Sequence, residues 1–300
     1  MPSVFNIGSI NIDEVFTVPH FVLPGETLFC SSCSRFPGGK GQNQSVALAR
    51  AGAPVIHCGK TGFDGRDVLE RLSGDGVDVS RIAVGELATG RAIIQVDDSG
   101  QNCILLFGGA NRDIGEEDID RFLDGAGSGD ILLLQNEISS VDYALSKGKT
   151  LNMYVVFNPS PVDENLLMLP LEHADCFILN EIEGALLAGL QPAESPEPET
   201  IRDALTARFP TTDIALTLGE RGSLWAGADG ARVAVPATRD IPVDTTAAGD
   251  TWCGYFLAAR LRGEPVEQAM KEASRAAGIC ISRAGASVSI PLRAEVLARM

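Results

Sequence analysis

Apolar and polar residues alternate along this chain in short blocks. Val4-Phe5-Asn6-Ile7-Gly8-Ser9-Ile10 has the pattern of a buried strand ending in Gly-Ser. Short β-type pieces at 14–18 and 27–30 surround the turn Leu23-Pro24-Gly25. An Ala/Leu-rich helix is expected over 45–51, then a strand over 55–58 and a helix over 65–73 with Asp64 as N-cap. Segments 91–96 and 103–107, joined by Asp97-Asp98-Ser99-Gly100, predict a hairpin. Beyond residue 115 the rhythm is regular. Helices over 116–123, 141–147, 182–190 and 201–209 alternate with strands over 130–134, 153–157, 176–179 and 214–218. Residues 219–222 form a turn, Trp225 and 233–235 are further β-type positions, and 191–199 is a Pro- and Glu-rich loop. Two helices, 249–261 and 266–282, close the core. Such alternation predicts the α/β class, with a mainly parallel sheet covered on both faces. The hairpin and the 14–37 segment fall outside it as a small sheet, a lid candidate beside an active site.

Composition narrows this picture. At 300 residues and 45% hydrophobic content, the chain can bury a large core as one big domain or two small ones. No apolar run approaches the ~20 residues of a membrane span, and the first residues lack a basic-then-apolar signal pattern, so a cytoplasmic protein without a membrane partner is expected. Seven cysteines suit a reducing compartment. Cys30 and Cys33 have C-x-x-C spacing but no second pair, which reads as two reduced cysteines in a strand region rather than a zinc or redox site. A formal charge of −16 argues against a nucleic-acid partner but not against small anions met by local donors.

The chemistry concentrates in a few stretches. Val243-Asp244-Thr245-Thr246-Ala247-Ala248-Gly249-Asp250-Thr251 runs into an apolar helix. A loop opening into a helix presents free N–H groups and the positive end of the macrodipole, here around Ala247, Ala248 and Gly249. Asp250 beside them is placed to take a proton from a hydroxyl while those groups hold a transferring phosphoryl group; it could equally be an acidic first-turn residue complementing the dipole. Asn11 and Asp13, two apart in an extended segment, share a face and make a pair for gripping sugar hydroxyls, or else an Asx-rich turn. Gly38-Gly39-Lys40-Gly41-Gln42-Asn43-Gln44 opens a helix with adjacent glycines that let a ligand approach the backbone, yet it is no P-loop, and no G-x-G-x-x-G occurs. Glu137 and Asn180-Glu181-Ile182-Glu183 follow strands, on the face where ligands bind in such sheets. Asn180 and Glu183 suit either a capping box or phosphate and Mg²⁺ ligation. His20, His57 and His173 are scattered without metal spacing, His57 as a core or edge residue.

Taken together, these stretches, with Pro24-Gly25-Glu26-Thr27 and Thr217-Leu218-Gly219, resemble the ribokinase-like carbohydrate kinase family, in that family's order and over nearly the whole chain. The G-G-K-G-x-N-Q and D-T-x-A-A-G-D-T elements are the specific ones. The resemblance implies a three-layer α/β/α fold with a β-sheet lid, the body spanning 1–12, 38–88 and 110–300 and the lid 13–37 and 89–109. It implies ATP-dependent phosphorylation of a sugar hydroxymethyl group, with ribose or another pentose leading and a nucleoside kinase of the same fold as alternative. Carried residue by residue, it makes Asp250 the base and Ala247, Ala248 and Gly249 the anion hole. Asn11, Asp13, Gly39, Lys40, Asn43 and Glu137 fall at sugar positions. Asn180, Glu183, Thr217, Gly219, Gly222 and Ser274 fall at nucleotide and Mg²⁺ positions. It further implies a K⁺ site from Asp244, Thr246, Cys280, Arg283, Gly285 and Ser289, and a homodimer through the lid. Ser274 and Trp252 depart from the family's usual residues at their positions.

Overall fold

A computed structural model describes residues 2–300; Met1, the first residue of the expected body, lies outside the described residues. In chain order the elements are β1 (Val4–Ile7), β2 (Asn11–Thr17), β3 (Ser32–Gly38), α1 (Lys40–Arg50), β4 (Val55–Thr61), α2 (Arg66–Gly74), β5 (Asp78–Val84), β6 (Gly90–Val96), β7 (Asn102–Phe107) and α3 (Glu116–Phe122). There follow β8 (Ile131–Gln135), α4 (Val141–Thr150), β9 (Tyr154–Asn158), β10 (Cys176–Asn180), α5 (Glu181–Ala188), α6 (Pro198–Arg208), β11 (Asp213–Thr217), β12 (Ser223–Ala226), β13 (Arg232–Val235), α7 (Ala248–Leu261), α8 (Val266–Ile281) and α9 (Arg293–Leu297).

Nine strands form one sheet in the order β13-β12-β11-β10-β9-β8-β1-β4-β5. Seven of them, from β11 to β5, run parallel, and β12 and β13 turn back antiparallel at one edge. Strand alternation sorts the core into two layers. Val4, Val55, Ile131 and Leu133 pack against α1, α7 and α8 on one face. Phe5, Ile7, Leu132 and Leu134 pack on the other, with Ile119 of α3 and Leu145 of α4. The small sheet is separate, in the order β3-β2-β6-β7. Its only parallel pair is β2 with β6.

Several sequence expectations shift. The first strand stops at Ile7 rather than residue 10, because the chain turns off there and re-enters at Asn11 as part of the small sheet. Residues 27–30 are not a strand; the pairing partner of β2 is 32–38, whose exposed residues hid its pattern. The first helix begins at Lys40, inside the glycine-rich stretch, and not at residue 45. Strand β5 was not expected, its half-exposed edge position giving only a weak apolar run. Asp64 does not cap α2: Gly65 holds the cap position without a side-chain bond. The Asp64 carboxylate instead accepts from the backbone N–H and hydroxyl of Thr89 and from Arg91, joining the body to the base of the small sheet.

Strand β1 lies between β8 and β4, where the direction of chain crossover reverses. Ligands in open α/β sheets bind at such a switch point, beyond the carboxyl ends of the strands. There the backbone of α1 touches that of β1's exit: a Cβ on Gly41 would lie 2.5 Å from Gly8 Cα and 2.5 Å from Ser9 N. Two backbones in contact leave no side chain free to yield. Gly41→Ala should therefore destabilise the protein by about 1–3 kcal/mol, the range for an overfilled core. Gly74→Ala, at the end of α2 where a Cβ meets nothing within 4 Å, should be neutral or stabilising. Urea unfolding followed by circular dichroism compares the two; equal midpoints would show that the α1–β1 contact can open at no cost.

Candidate active site

The exits of β1, β8, β9 and β10 converge with the N-termini of α1 and α7. Asp250 sits in the first turn of α7, 8% exposed. Its Oδ1 accepts from Gln44 Nε2 at 2.9 Å and its Oδ2 from Asn43 Nδ2 at 3.1 Å. Ala247, at the helix cap, takes a left-handed conformation with φ 60° and ψ 10°. An alanine there costs roughly 1–2 kcal/mol, strain of the kind that persists at functional sites. A Cβ on Gly249 would meet no protein atom within 4 Å, so the chain's own packing does not demand glycine; the open space lies at the helix's electropositive end. Ala248 N–H turns back to Thr245 O at 3.2 Å.

The predicted sugar residues line the facing side. Asn11 and Asp13 both belong to β2 of the small sheet. Asn11 Oδ1 accepts from Asn111 Nδ2 at 2.8 Å, and Asn111 Oδ1 accepts from Ile10 N–H at 2.9 Å. Gly38, opposite Asn11, leaves room for Asp13: a Cβ there would lie 2.1 Å from its carboxylate, which would have to shift. Gly39 caps α1 with φ 94°. Glu137 Oε2 takes hydrogen bonds from the Ser9 hydroxyl and, at 3.0 Å, from Lys40 N–H. Burial alone would pull the Lys40 ammonium down, but the carboxylates of Asp250, Glu137 and Glu183 together outweigh it and hold Lys40 above its ordinary value. Burial raises Asp13 from 3.8 to about 7, with Glu137 adding like-charge repulsion.

The nucleotide candidates stand further along the same sheet edge. Asn180 and Glu183 form the capping box of α5, each exchanging a 2.9 Å bond with the other's backbone. Thr217 ends β11, its hydroxyl on Leu179 O at 3.3 Å. Gly219 and Gly222 have φ of 56° and 96°, and a Cβ on Gly222 would lie 2.1 Å from Val235 O. The two departures from the family residues are partners: Trp252 Nε1 donates to Ser274 Oγ at 3.4 Å, and the Trp252 ring stacks on Phe256 at 4.9 Å. A cavity of about 480 Å³ runs between 235–240 and α8, with Thr238, Arg239, Ser274 and Arg275 in its wall. It contains none of Asp250, Lys40 or Asp13, so the hydroxyl chemistry lies elsewhere.

The expected cation residues are drawn together in part. Asp244 accepts from Thr246 N–H and Gly285 N–H, both at 2.9 Å. Burial opposes its charge, but these bonds prevail and hold its carboxyl below the usual value. Cys280 Sγ lies 3.8 Å from Thr246 O and 3.0 Å from Ser289 Oγ. Arg283 points away, its guanidinium on Glu295 at 2.6 Å. Among the described residues no cluster of three or more His, Cys, Asp or Glu could hold a metal.

Five participants carried no assigned role in the sequence: Gln44, Asn111, Gln135, Asn158 and Ser9. Three of them were findable, because Gln135 and Asn158 are the last residues of β8 and β9 and Ser9 follows β1. Polar groups at strand ends on the ligand side are the signal. His57 is fully buried, as expected of a core residue; burial lowers it to about 4, against a smaller raising effect of the Gly8 backbone, so it is neutral. Cys30 and Cys33 are both free and exposed, with only Cys33 in a strand.

A family model described as pfkB family carbohydrate kinase matches residues 1–293. The ribokinase of Haemophilus influenzae is 34% identical over 299 residues, covering 97% of this chain and 96% of that protein. The crystal structure of ribokinase from Cryptococcus neoformans var. grubii serotype A in complex with ADP is 32% identical with a TM-score of 0.87, covering 100% of both chains. Arabidopsis thaliana ribokinase complexed with ribose and ATP has a TM-score of 0.88 at 28% identity, covering 99% of this chain and 98% of that one.

The raised Asp13 has a thermodynamic consequence. A carboxyl that prefers to be neutral in the fold costs nothing below the unfolded value of 3.8, costs progressively more as pH rises, and costs fully above about 7. The upper bound is ~4 kcal/mol, reduced to about half by screening at its exposed edge. Asp13→Asn removes that cost. In the sugar-free protein it should gain thermal stability over wild type at pH 8 and lose the gain near pH 4. A gain independent of pH would show that Asp13 is ionised throughout.

Proposed function

The chain belongs to the pfkB family of carbohydrate kinases, and on that premise we propose that it transfers the γ-phosphoryl group of ATP to the hydroxymethyl group of D-ribose, giving ribose 5-phosphate. The observation that carries the proposal is the placing of one carboxylate, Asp250, at the strained N-terminus of α7, facing Lys40 and the Asp13–Glu137 pair. The sugar lies among Asn11, Asp13, Gly39, Lys40, Asn43 and Glu137, which offer both acceptors and donors, as hydroxyls that donate and accept require. Asp250 takes the hydroxyl proton as the oxygen attacks the γ-phosphorus, and ADP leaves. The N–H groups of Ala247, Ala248 and Gly249 meet the charge that builds on the transferred group. The full-length similarity to ribokinases, including one complexed with ribose and ATP, supports the choice of sugar and nucleotide.

Asn180, Thr217, Gly219, Gly222 and Ser274 hold the nucleotide in this proposal, with the 480 Å³ cavity toward its base end. The Glu183 carboxylate, beside Asn180 at the start of α5, fits Mg²⁺, an ion that takes one or two carboxylates and completes its shell with phosphate and water oxygens. When bound, Mg²⁺ shields phosphate charge. The Asp244 loop suits K⁺: an ionised carboxylate and backbone carbonyls are hard oxygen donors, and its bond to Gly285 ties the anion hole to the C-terminal segment. The small sheet supplies the dimer interface. In β7, Ile104, Leu105, Leu106 and Phe107 are all more than half exposed, which a lone edge strand does not sustain in water.

Two measurements test these assignments. ADP release is followed with ribose, deoxyribose, fructose and adenosine, for wild type and Asp250→Asn. Ribose should give the highest kcat/KM, and Asp250→Asn should lose ~10²–10⁴-fold of turnover while keeping its fold; turnover within threefold of wild type would remove Asp250 from the role. In the second, rates at saturating Mg-ATP are compared in K⁺, Na⁺ and Cs⁺ at one ionic strength. K⁺ should be the best activator, and equal rates in all three would reject the cation site.

A further inference from the structure

Behind Asp250 runs a chain of amides, fully buried except for the half-buried Asn158. Gln44, on α1, is completely buried. Its Nε2 donates to Asp250 Oδ1 at 2.9 Å and to Asn158 Oδ1 at 3.0 Å. Its Oε1 accepts from Gln135 Nε2 at 2.7 Å. Gln135 Nε2 also donates to Asn6 Oδ1 at 3.0 Å, while Asn6 Nδ2 donates to Gly41 O and Ser45 Oγ, both at 2.8 Å. The Ser45 hydroxyl ends the chain 2.8 Å from His57 Nδ1. Asn6, Ser45, His57 and Gln135 are also fully buried.

This connectivity fixes which end of the Gln44 amide faces the carboxylate. A glutamine can present its NH₂ or its C=O, and the two are sterically near-equivalent. Here the donor on Gln135 claims the carbonyl, and the acceptor on Asn158 claims part of the NH₂. The remaining N–H points at Asp250. Reversed, the amide would place a carbonyl against the carboxylate and a donor against a donor, and three buried bonds would be lost together.

We propose that Gln44 is a positioning residue for Asp250, held in its donating orientation by Gln135 and Asn158, and that it keeps the carboxylate aimed while Asn43 remains free to turn to substrate. The proposal rests on Asp250 being the base. The two amides then have different duties, although they are neighbours in sequence. Asn43, on Oδ2, is at the sugar wall, and Gln44, on Oδ1, is sealed behind it.

The test uses Gln44→Met, similar in volume but without a donor, and Gln135→Met, which removes the orienting donor and leaves Gln44 in place. Both are measured in the full-length enzyme with ribose and Mg-ATP, beside Asp250→Asn. Losing a hydrogen bond to a charged group predicts that Gln44→Met lowers kcat by about 10- to 100-fold with KM for ATP unchanged. The acidic limb of its kcat–pH profile should move to higher pH, because the base is easier to protonate without its donor. Gln135→Met should move both in the same direction by less. A merely structural role would lower stability without moving the acidic limb. If Asp250→Asn is inactive while folded Gln44→Met and Gln135→Met keep wild-type kcat and acidic limb, the positioning role is overturned and the base assignment stands. If Asp250→Asn stays active, both fall. If Gln44→Met does not fold, Gln135→Met decides: an unmoved limb there overturns the proposal.

Discussion

Everything at this site depends on holding one buried carboxylate in place at a helix N-terminus. Asp250 is 8% exposed, and a charge so placed is costly unless paired or hydrogen-bonded. The fold answers with two amide donors from α1, the dipole of α7 and the Lys40 ammonium across the cleft. Apart from the dipole of its own helix, the answers all come from α1: Lys40, Asn43 and Gln44 lie more than 200 residues before Asp250. The tertiary contact of α1 with α7 therefore serves the proposed base as well as the packing. Small residues make it possible, since a Cβ on Gly254 would lie 2.4 Å from that of Ala47.

Donors recruited to Asp250 need partners of their own, and this explains the polar streak through an otherwise apolar layer. On the face where Val4, Val55, Ile131 and Leu133 pack, the strands end in or include Asn6, His57 and Gln135. Unpaired, such groups would each cost a few kcal/mol. Linked through Gln44 and Ser45, they hold one another in fixed orientations, and the strand ends become a rigid floor beneath the site. The opposite face of the sheet has no such streak: Phe5, Ile7, Leu132, Leu134, Phe157 and Phe177 are uniformly apolar.

The small sheet adds a second constraint. It carries Asn11 and Asp13 on β2, so part of the proposed sugar wall belongs to the small sheet and part to the body. The Asp64 carboxylate, bonded to Thr89 and Arg91, ties the two at the start of β6. A net charge of −16 does not exclude an anionic ligand, because charges beyond ~10 Å are screened at moderate salt while Lys40 and the α7 terminus offer local donors.

The sequence by itself determined the alternating α/β pattern, the parallel core, the hairpin and the stretch around Asp250. These are encoded locally, by periodicity, by glycine placement and by polar residues following strands. It also carried both possible roles of Asn180 and Glu183, and the capping box is what forms. What only the tertiary structure decided is pairing at a distance. Strand 32–38 gives no apolar signal because its neighbours, not its burial, define it. Asp64 looks like a helix cap until the lid places Thr89 and Arg91 against it. Arg283 lies near the Asp244 loop in sequence logic but finds Glu295 in space. Gln44 and Gln135, 91 positions apart, meet only when α1 packs over the end of β8. A side chain's partner in a buried network is fixed by packing geometry, and no local pattern of residues contains that information.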